Sequence, residues 1–356
     1  MRTTSLAALA AIALAAGGLT ACGGASSGSA SKASSAEHAI DVGGGQKVTI
    51  PKGTRPRVGL FIATTTNLYT QALVDEAKRT AARLGASLTV FDGGFDAMTQ
   101  LNQLQGALQR KQFDAWYVTP VDGNQSCALL SRTAPAQGIV VGLSDLALCG
   151  RGERPAADIW QPGTIDYVGA ETTVDFIDAW IGDIADRLPG AHAIGVLQGP
   201  PLTNLTDNTA AALERLQDSR PDLKVVASVN TDFTTPDGLR KAQTMLRAHP
   251  EIDALITTYA DVTVGAIKAV KETGRRVAVF DLGGSKAEVP LIEEGSLTAS
   301  AAYSPRGHAR TVVTALVRAI LDGTTPPRYE DGLDYGTTDK PYMVDRSNVG
   351  SYRPEY

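Results

Sequence analysis

The sequence has 356 residues, more than one ordinary hydrophobic core accommodates, and the length therefore favours two domains with extensions. Lys and Arg total 33 against 38 Asp and Glu, and the resulting net charge of -5 argues against nucleic-acid binding, which needs a basic surface. Charged residues make up 20% of the chain and hydrophobic residues 43%, which excludes both a bundle of membrane helices and a disordered acidic chain.

The first predicted element is a secretion leader over residues 1–21. Arg2 supplies a positive charge, and the apolar run that follows is too short to span a bilayer comfortably. The residues Leu19-Thr20-Ala21-Cys22 then resemble a bacterial lipobox, which implies cleavage before Cys22 and acylation of its thiol. A plain signal peptide with an unrelated cysteine is the alternative. Residues 22–55 begin with a Gly- and Ser-rich stretch, which predicts a lipid anchor and flexible tether on the outer face of the plasma membrane.

The cysteine count agrees with an exported protein. If Cys22 carries lipid, Cys127 and Cys149 remain, and an oxidising compartment favours a disulfide between them. Two unpaired thiols are the alternative.

Short apolar runs alternate with helical patterns from residue 58 onward. Val58-Gly59-Leu60-Phe61-Ile62 is typical of a strand buried on both faces, and the apolar spacing of residues 68–84 predicts a helix that stops at Gly85. Further predicted strands lie at 88–91, 114–120, 138–143, 167–170, 193–197, 225–229, 254–256, 277–280 and 298–303. The alternation breaks once, at residues 150–165. It therefore predicts an α/β protein with two modules of parallel sheet and a ligand cleft between them.

Several segments carry a family resemblance through their order and spacing. They are residues 58–63 with Asn67-Leu68-Tyr69, then 113–122, 167–171, 195–200, 260–270, 280–284 and 295–300. Together they resemble the type I periplasmic binding proteins, the ribose-binding-like group, over about residues 56 to 325.

The resemblance implies two Rossmann-like lobes joined by three hinge crossovers, near residues 167–170, 302–305 and 327–331. One lobe would take residues 56–167 and 305–328, and the other 168–303 and 331–350. The implied function is that of a monomeric receptor that closes over a small sugar or polyol and delivers it to an ABC-type permease. No enzyme activity, cofactor or metal site is predicted, because the sequence lacks nucleophile and nucleotide-binding motifs and its four histidines are scattered.

The resemblance also places candidate ligand contacts on particular residues. Carboxylates that grip sugar hydroxyls in the family would here be Asp145 and Asp281, each after a buried strand. The full set of predicted ligand-binding residues is Asn67, Tyr69, Asp145, Thr172, Asp207, Tyr259, Asp281 and Tyr303. For each Tyr the alternative is packing at a strand end, and for each Asp it is a helix cap or turn.

Two departures from the sugar-binding pattern widen the choice of ligand. Leu146 stands where relatives often have an arginine after the carboxylate, and residues 203–208 contain no arginine. The missing guanidinium groups leave open a modified sugar, a polyol or a less polar ring such as a nucleoside. A lipid-anchored sensor that presents its solute to a membrane signalling protein is a further alternative. A repressor of the same fold would need a DNA-binding segment where this chain has its leader, and a hydrolase is the least favoured class.

Overall fold

The computed structural model describes residues 36–201, 203–333, 335 and 341–356, so the predicted signal peptide and Cys22 lie outside the described residues. The described strands are β1 Glu37–Gly43, β2 Gln46–Pro51, β3 Arg57–Ile62, β4 Ser87–Asp92, β5 Ala115–Val118, β6 Val140–Ser144, β7 Asp166–Val168, β8 His192–Gln198, β9 Leu223–Asn230, β10 Ala254–Thr257, β11 Ala278–Gly283, β12 Ala299–Ala302, β13 Tyr329–Glu330 and β14 Met343–Val344. The described α-helices are α1 Leu68–Arg83, α2 Ala97–Arg110, α3 Ala134–Ala136, α4 Val174–Arg187, α5 Asn204–Ser219, α6 Thr235–Ala248, α7 Ala260–Thr273, α8 Val289–Glu294 and α9 Pro305–Asp322. None of these helices is long and apolar enough to cross a membrane.

The strands of the described region form two six-stranded sheets, which confirms the predicted α/β class. The sheet of lobe 1 has the order β13-β7-β6-β5-β3-β4, and that of lobe 2 has the order β14-β12-β11-β10-β8-β9. All pairs are parallel except β12 with β14. Strands β5 and β6 are buried at every position because helices cover both faces of the sheet, as a parallel sheet requires.

The chain passes between the lobes at three places. The first crossover, residues 169–173, leads from β7 to α4; the second, Tyr303 and Ser304, leads from β12 to α9. The third begins after β13, which pairs with β7 in lobe 1, and its described part is residues 331–333. Each crossover lies at or next to a segment that the family resemblance predicts as a hinge. Val168 and β13 belong to lobe 1, because β13 pairs with β7.

The predicted tether is too long, because residues 37–51 form an antiparallel hairpin. Strands β1 and β2 pair across a glycine turn, and their alternating apolar side chains (Ile40, Val42, Val48 and Ile50) are buried in the core. The hairpin is fixed to lobe 1 by the Gly163 N–H, which donates to the Val42 carbonyl at 2.8 Å. The period of two in these residues is a strand signal that the glycine-rich composition of the segment masked.

The described residues after β14 fold onto lobe 2 and extend it beyond the predicted limit at residue 350. The Tyr352 hydroxyl donates to the Gly284 carbonyl at 2.6 Å, and the Tyr356 hydroxyl donates to the Gly283 carbonyl at 2.9 Å. Residues 352–356, called the tail below, are thus anchored at the end of β11.

A buried pair of carboxyl groups lies beneath the tail. Asp281 at β11 and Glu288 just before α8 are both fully buried; Asp281 Oδ2 accepts from the Thr263 hydroxyl at 2.6 Å, and Glu288 Oε2 accepts from the Ser285 N–H at 2.6 Å. Burial raises the pKa of Glu288 well above its usual value, and the neighbouring Asp281 charge raises it further. Burial therefore favours the protonated form of Glu288 over its carboxylate.

The disulfide between Cys127 and Cys149 is present in lobe 1, with an S–S distance of 2.04 Å. Replacing both cysteines with Ala should lower the free energy of unfolding by roughly 3 kcal/mol, because the bridge closes a loop of 22 residues in the unfolded chain. Urea titration with and without reductant measures the difference. Reductant should destabilise the wild type and leave the double variant unchanged; equal stability of the two proteins would contradict the prediction.

The carboxyl pair predicts a specific pH dependence of stability. The folded protein holds a proton on Glu288 that the unfolded chain releases above about pH 4.5, and this group therefore costs more stability as the pH rises. Glu288→Gln, which needs no proton, should gain stability relative to the wild type between pH 5 and pH 8 in urea titrations. The exposed Glu294→Gln in α8 is the control and should show no such gain. If the free energy of unfolding varies with pH in the same way in the wild type and in Glu288→Gln, Glu288 does not hold a proton in the folded protein.

Candidate functional site

A cavity of about 360 Å³ lies between the lobes, within the size range of small-molecule sites. Its walls come from segments that follow strands of both sheets, because the carboxyl ends of parallel strands face the cleft. Six of the eight predicted ligand-binding residues line it: Asn67, Tyr69, Asp145, Thr172, Tyr259 and Tyr303.

Asn67 and Tyr259 join the two lobes across the cavity. Asn67 caps α1, since its Oδ1 accepts from the Thr70 N–H at 2.9 Å, and the Tyr259 hydroxyl of lobe 2 donates to the same oxygen at 2.7 Å. Both side chains are at least nine-tenths buried. The amide oxygen is thereby occupied, which leaves the Asn67 NH₂ group as a donor for a bound molecule.

Asp145 offers the cavity a carboxylate oxygen. Its Oδ1 accepts from the Tyr69 hydroxyl at 2.7 Å and lies 3.1 Å from His308 Nδ1, whereas Oδ2 accepts no hydrogen bond from the described residues. The backbone at Asp145 has φ of +69°, a conformation that costs energy for a non-glycine residue and turns the side chain away from the regular strand direction. The Thr172 hydroxyl donates to the Asp145 carbonyl at 2.8 Å and steadies this turn.

His308 and Glu171 are cavity residues that the sequence did not indicate. His308 is 1% exposed, and its Nε2 lies 2.9 Å from Glu171 Oε2, itself almost fully buried. Burial alone would lower the pKa of His308, but the Glu171 charge and the contacts with Asp145 and Glu171 outweigh burial and raise it well above its usual value. The two carboxylates on either side of the buried imidazole therefore favour its protonated form.

Two phenylalanines from opposite lobes meet at the cavity. Phe95 follows β4 and Phe233 follows β9, each an edge strand of its sheet, and their ring centroids are 6.0 Å apart. Both have positive φ, of 55° and 62°, so the backbone turns each ring toward the cleft. Gly199 makes room for Phe233, because a Cβ atom there would lie 2.2 Å from the ring. Their position just after edge strands was the available sequence signal.

Two predicted residues do not reach the cavity, and their assignment is corrected. Asp281 is directed into lobe 2 toward Thr263, while Tyr259 and Tyr303, which follow the strands on either side of β11, line the cavity instead. Asp207 lines a neighbouring depression of about 130 Å³, where burial and the Glu153 charge raise its pKa.

The cavity has an acidic and aromatic lining. Its charged residues are Asp122, Asp145, Glu171 and His308, and no Lys or Arg is among the described residues that line it. The described region also contains no cluster of His, Cys, Asp and Glu able to hold a metal ion. The site therefore offers carboxylate acceptors and ring faces, without a guanidinium or ammonium partner for an anion.

Comparisons with known proteins agree with this architecture. The family model described as periplasmic binding protein domain matches residues 58–325. The ribose import binding protein of Bacillus subtilis is 23% identical over 248 residues, which are 70% of this chain and 76% of the relative. The fold is shared with a solute-binding protein of Bacillus halodurans with bound myo-inositol (TM-score 0.73, 20% identity, 86% of this chain and 99% of the other). It is also shared with one of Actinobacillus succinogenes with bound D-allose (TM-score 0.71, 20% identity, 84% and 100%). The family model covers most of the sequence, and the chain therefore belongs to the periplasmic binding protein family.

Proposed function

We propose that this chain is an extracytoplasmic receptor that captures a neutral, polyhydroxylated solute in its interlobe cavity and delivers it to the permease of an ABC importer. The observation that carries the proposal is the cavity itself: it is built from both sheets, bridged by Asn67 and Tyr259, and holds one unpaired carboxylate oxygen on Asp145.

The lining matches the chemistry of a sugar or cyclic polyol. Asp145 Oδ2 accepts hydroxyl hydrogen bonds, the Asn67 NH₂ group donates one, and the rings of Phe95 and Phe233 cover the apolar face of a small ring. The relatives support this class, since one is named for ribose import and two were crystallised with myo-inositol and D-allose. Without Lys or Arg in the described lining, a phosphate or carboxylate on the solute would be desolvated beside Asp145 without compensation.

We also propose that a lipid on Cys22 anchors a monomeric receptor to the outer face of the plasma membrane. The lipobox-like sequence around residue 22 supports this, and the Gly- and Ser-rich residues before the hairpin then serve as the tether. Cys22→Ser should release the protein from the membrane fraction of expressing cells and abolish incorporation of labelled fatty acid. Retention in the membrane after this substitution would contradict lipidation.

The ligand class is tested by thermal shift and calorimetry with D-ribose, D-allose, myo-inositol and xylitol. At least one should raise the melting temperature by mass action. Asp145→Asn should weaken its binding about tenfold or more, because the charged acceptor is lost. Asp207→Asn is the matched control outside the cavity and should bind as the wild type does. Equal affinity of Asp145→Asn and wild type would remove Asp145 from the site.

Charge selectivity is tested by comparing myo-inositol with myo-inositol monophosphate and D-ribose with D-ribose 5-phosphate. The phosphate should abolish the thermal shift of whichever parent compound binds, because no Lys or Arg is among the described lining residues and the imidazole of His308 is already paired with Asp145 and Glu171. Stronger binding of either phosphorylated compound would overturn the assignment to neutral polyols.

A further inference from the structure

His308 lies where all three crossovers come together. It is in the first turn of α9, immediately after the second crossover. A Cβ atom on Gly332, in the third crossover, would lie 2.4 Å from His308 Cδ2, and one on Gly169, in the first crossover, would lie 3.5 Å from Cε1. The imidazole therefore packs directly against the first and third crossovers, and it belongs to α9, into which the second crossover leads.

Glu171 ties two of these crossovers to the histidine. It belongs to the first crossover, and its Oε1 accepts from the Ser304 N–H of the second crossover at 3.0 Å. Its Oε2 lies 2.9 Å from His308 Nε2, a contact that is an ion pair when the imidazole is protonated. A change in the angle between the lobes moves the backbone at both ends of these contacts.

Glu355 of the tail adds a link from lobe 2 to the start of α9. Its Oε1 accepts from the Ser304 hydroxyl at 2.8 Å, and its Oε2 accepts from the Arg306 N–H at 2.7 Å. These donors would otherwise be unpaired at the helix N-terminus. Burial raises the pKa of Glu355 to about 7, against the lowering effect of the Ser304 hydrogen bond and the His308 charge. The helix that carries His308 is thus held by residues of both lobes.

The other edge of the imidazole faces the ligand cavity. His308 Nδ1 lies 3.1 Å from Asp145 Oδ1 and 3.0 Å from the Tyr69 hydroxyl oxygen. With Oδ1 held by these two groups, Asp145 presents its unpaired Oδ2 to the cavity. One side chain thus contacts both the cavity carboxylate and the hinge.

We propose that His308 is the positioning residue that couples occupancy of the cavity to the angle between the lobes. Its imidazolium orients Asp145 for a solute hydroxyl and, through Glu171, holds the crossovers in the closed arrangement. The link to solute occupancy rests on the proposed receptor function, whereas the link between His308 and the crossovers does not.

The groups that face His308 determine the pH dependence. They are Tyr69 from α1, Asp145 after β6, Glu171 in the first crossover and Glu355 in the tail. Because the pKa of His308 is raised in the folded protein, its stabilising contribution is complete below about pH 6.5 and is lost as the pH rises through the raised value. Alkaline pH should therefore loosen the crossovers and weaken solute binding together.

The test compares amide hydrogen exchange in the full-length wild type and in His308→Gln/Glu171→Gln, without added solute and at one pH. The double variant removes the charge of the pair without leaving an unpaired buried carboxylate. Peptides covering residues 169–173, 303–308 and 330–333 should all exchange at least fivefold faster in this variant. Glu171→Gln alone, which keeps an acceptor oxygen for Ser304, should give a smaller change in the same three peptides.

The control is His192→Gln, which breaks a similar histidine–aspartate contact, with Asp253 at 3.1 Å, on the far side of lobe 2. It should leave the three peptides at wild-type rates. The proposal is overturned if the double variant His308→Gln/Glu171→Gln and the single variant Glu171→Gln both keep wild-type exchange rates. It is also overturned if only the peptide containing residue 308 exchanges faster, because that result indicates a local packing role.

Binding of D-ribose and myo-inositol, followed by calorimetry and small-angle scattering, tests the coupling to the cavity. The compound that binds should lose tenfold or more in affinity as the pH is raised from 7 through the raised pKa of His308 in the wild type, and the His308→Gln/Glu171→Gln variant should bind weakly at every pH. An identical pH profile in variant and wild type would overturn the coupling. If neither compound binds the wild type, the choice of solute is wrong, and the exchange experiment still decides the role of His308 in the hinge.

Discussion

The carboxyl ends of two parallel sheets face one cleft, and this constraint determines which residues form the cavity. A parallel strand ends in backbone groups and side chains that cannot continue the ladder, so polar and aromatic residues collect there. Residues after nine of the strands contribute to the cavity: Ala63, Phe95, Thr119, Asp145, Gly169, Pro200, Phe233, Tyr259 and Tyr303. Tyr259 and Tyr303 follow the strands on either side of β11, and β11 supplies the buried Asp281 instead of a cavity residue.

The place of a residue after a predicted strand can be read from the sequence, and this explains which cavity residues could be predicted. The buried runs located the strands and the alternation gave the two lobes, while the family resemblance supplied eight candidate ligand-binding residues, six of which line the cavity. His308 has no such signal, because it lies inside a helix, and Glu171, although it follows β7, was not singled out as a ligand contact. The contact between His308 and Asp145 spans 163 residues and forms only when the chain has returned to lobe 1. No local sequence pattern predicts this contact.

Asp145 and Asp281 show why residue type and position after a strand were not sufficient to predict which aspartate lines the cavity. Both lie at or after the end of a buried strand, but the positive φ of Asp145 turns its carboxylate out of the sheet. Asp281 remains within β11, and its side chain points to Thr263 in the interior of lobe 2. Glu288 is buried beside Asp281, and burial together with the Asp281 charge raises the pKa of Glu288, which favours its protonated form. The sequence contains all these residues, but only the packing of α8 and the tail decides which aspartate faces the cavity.

The energetics of closure explain why the unpaired oxygen of Asp145 matters most. Two of the contacts between the lobes are the neutral hydrogen bond from Tyr259 to Asn67 and the ring contact of Phe95 with Phe233, each worth about 1 kcal/mol. Moving an open–closed equilibrium from 1:99 to 99:1 takes about 5.5 kcal/mol of preferential binding to the closed state. A solute hydroxyl on a carboxylate contributes about 1.5 to 3 kcal/mol, more than either direct contact. Under the proposed receptor function, the charged acceptor would supply part of the preference for the closed state, and the aromatic walls would exclude the water that otherwise pairs with it.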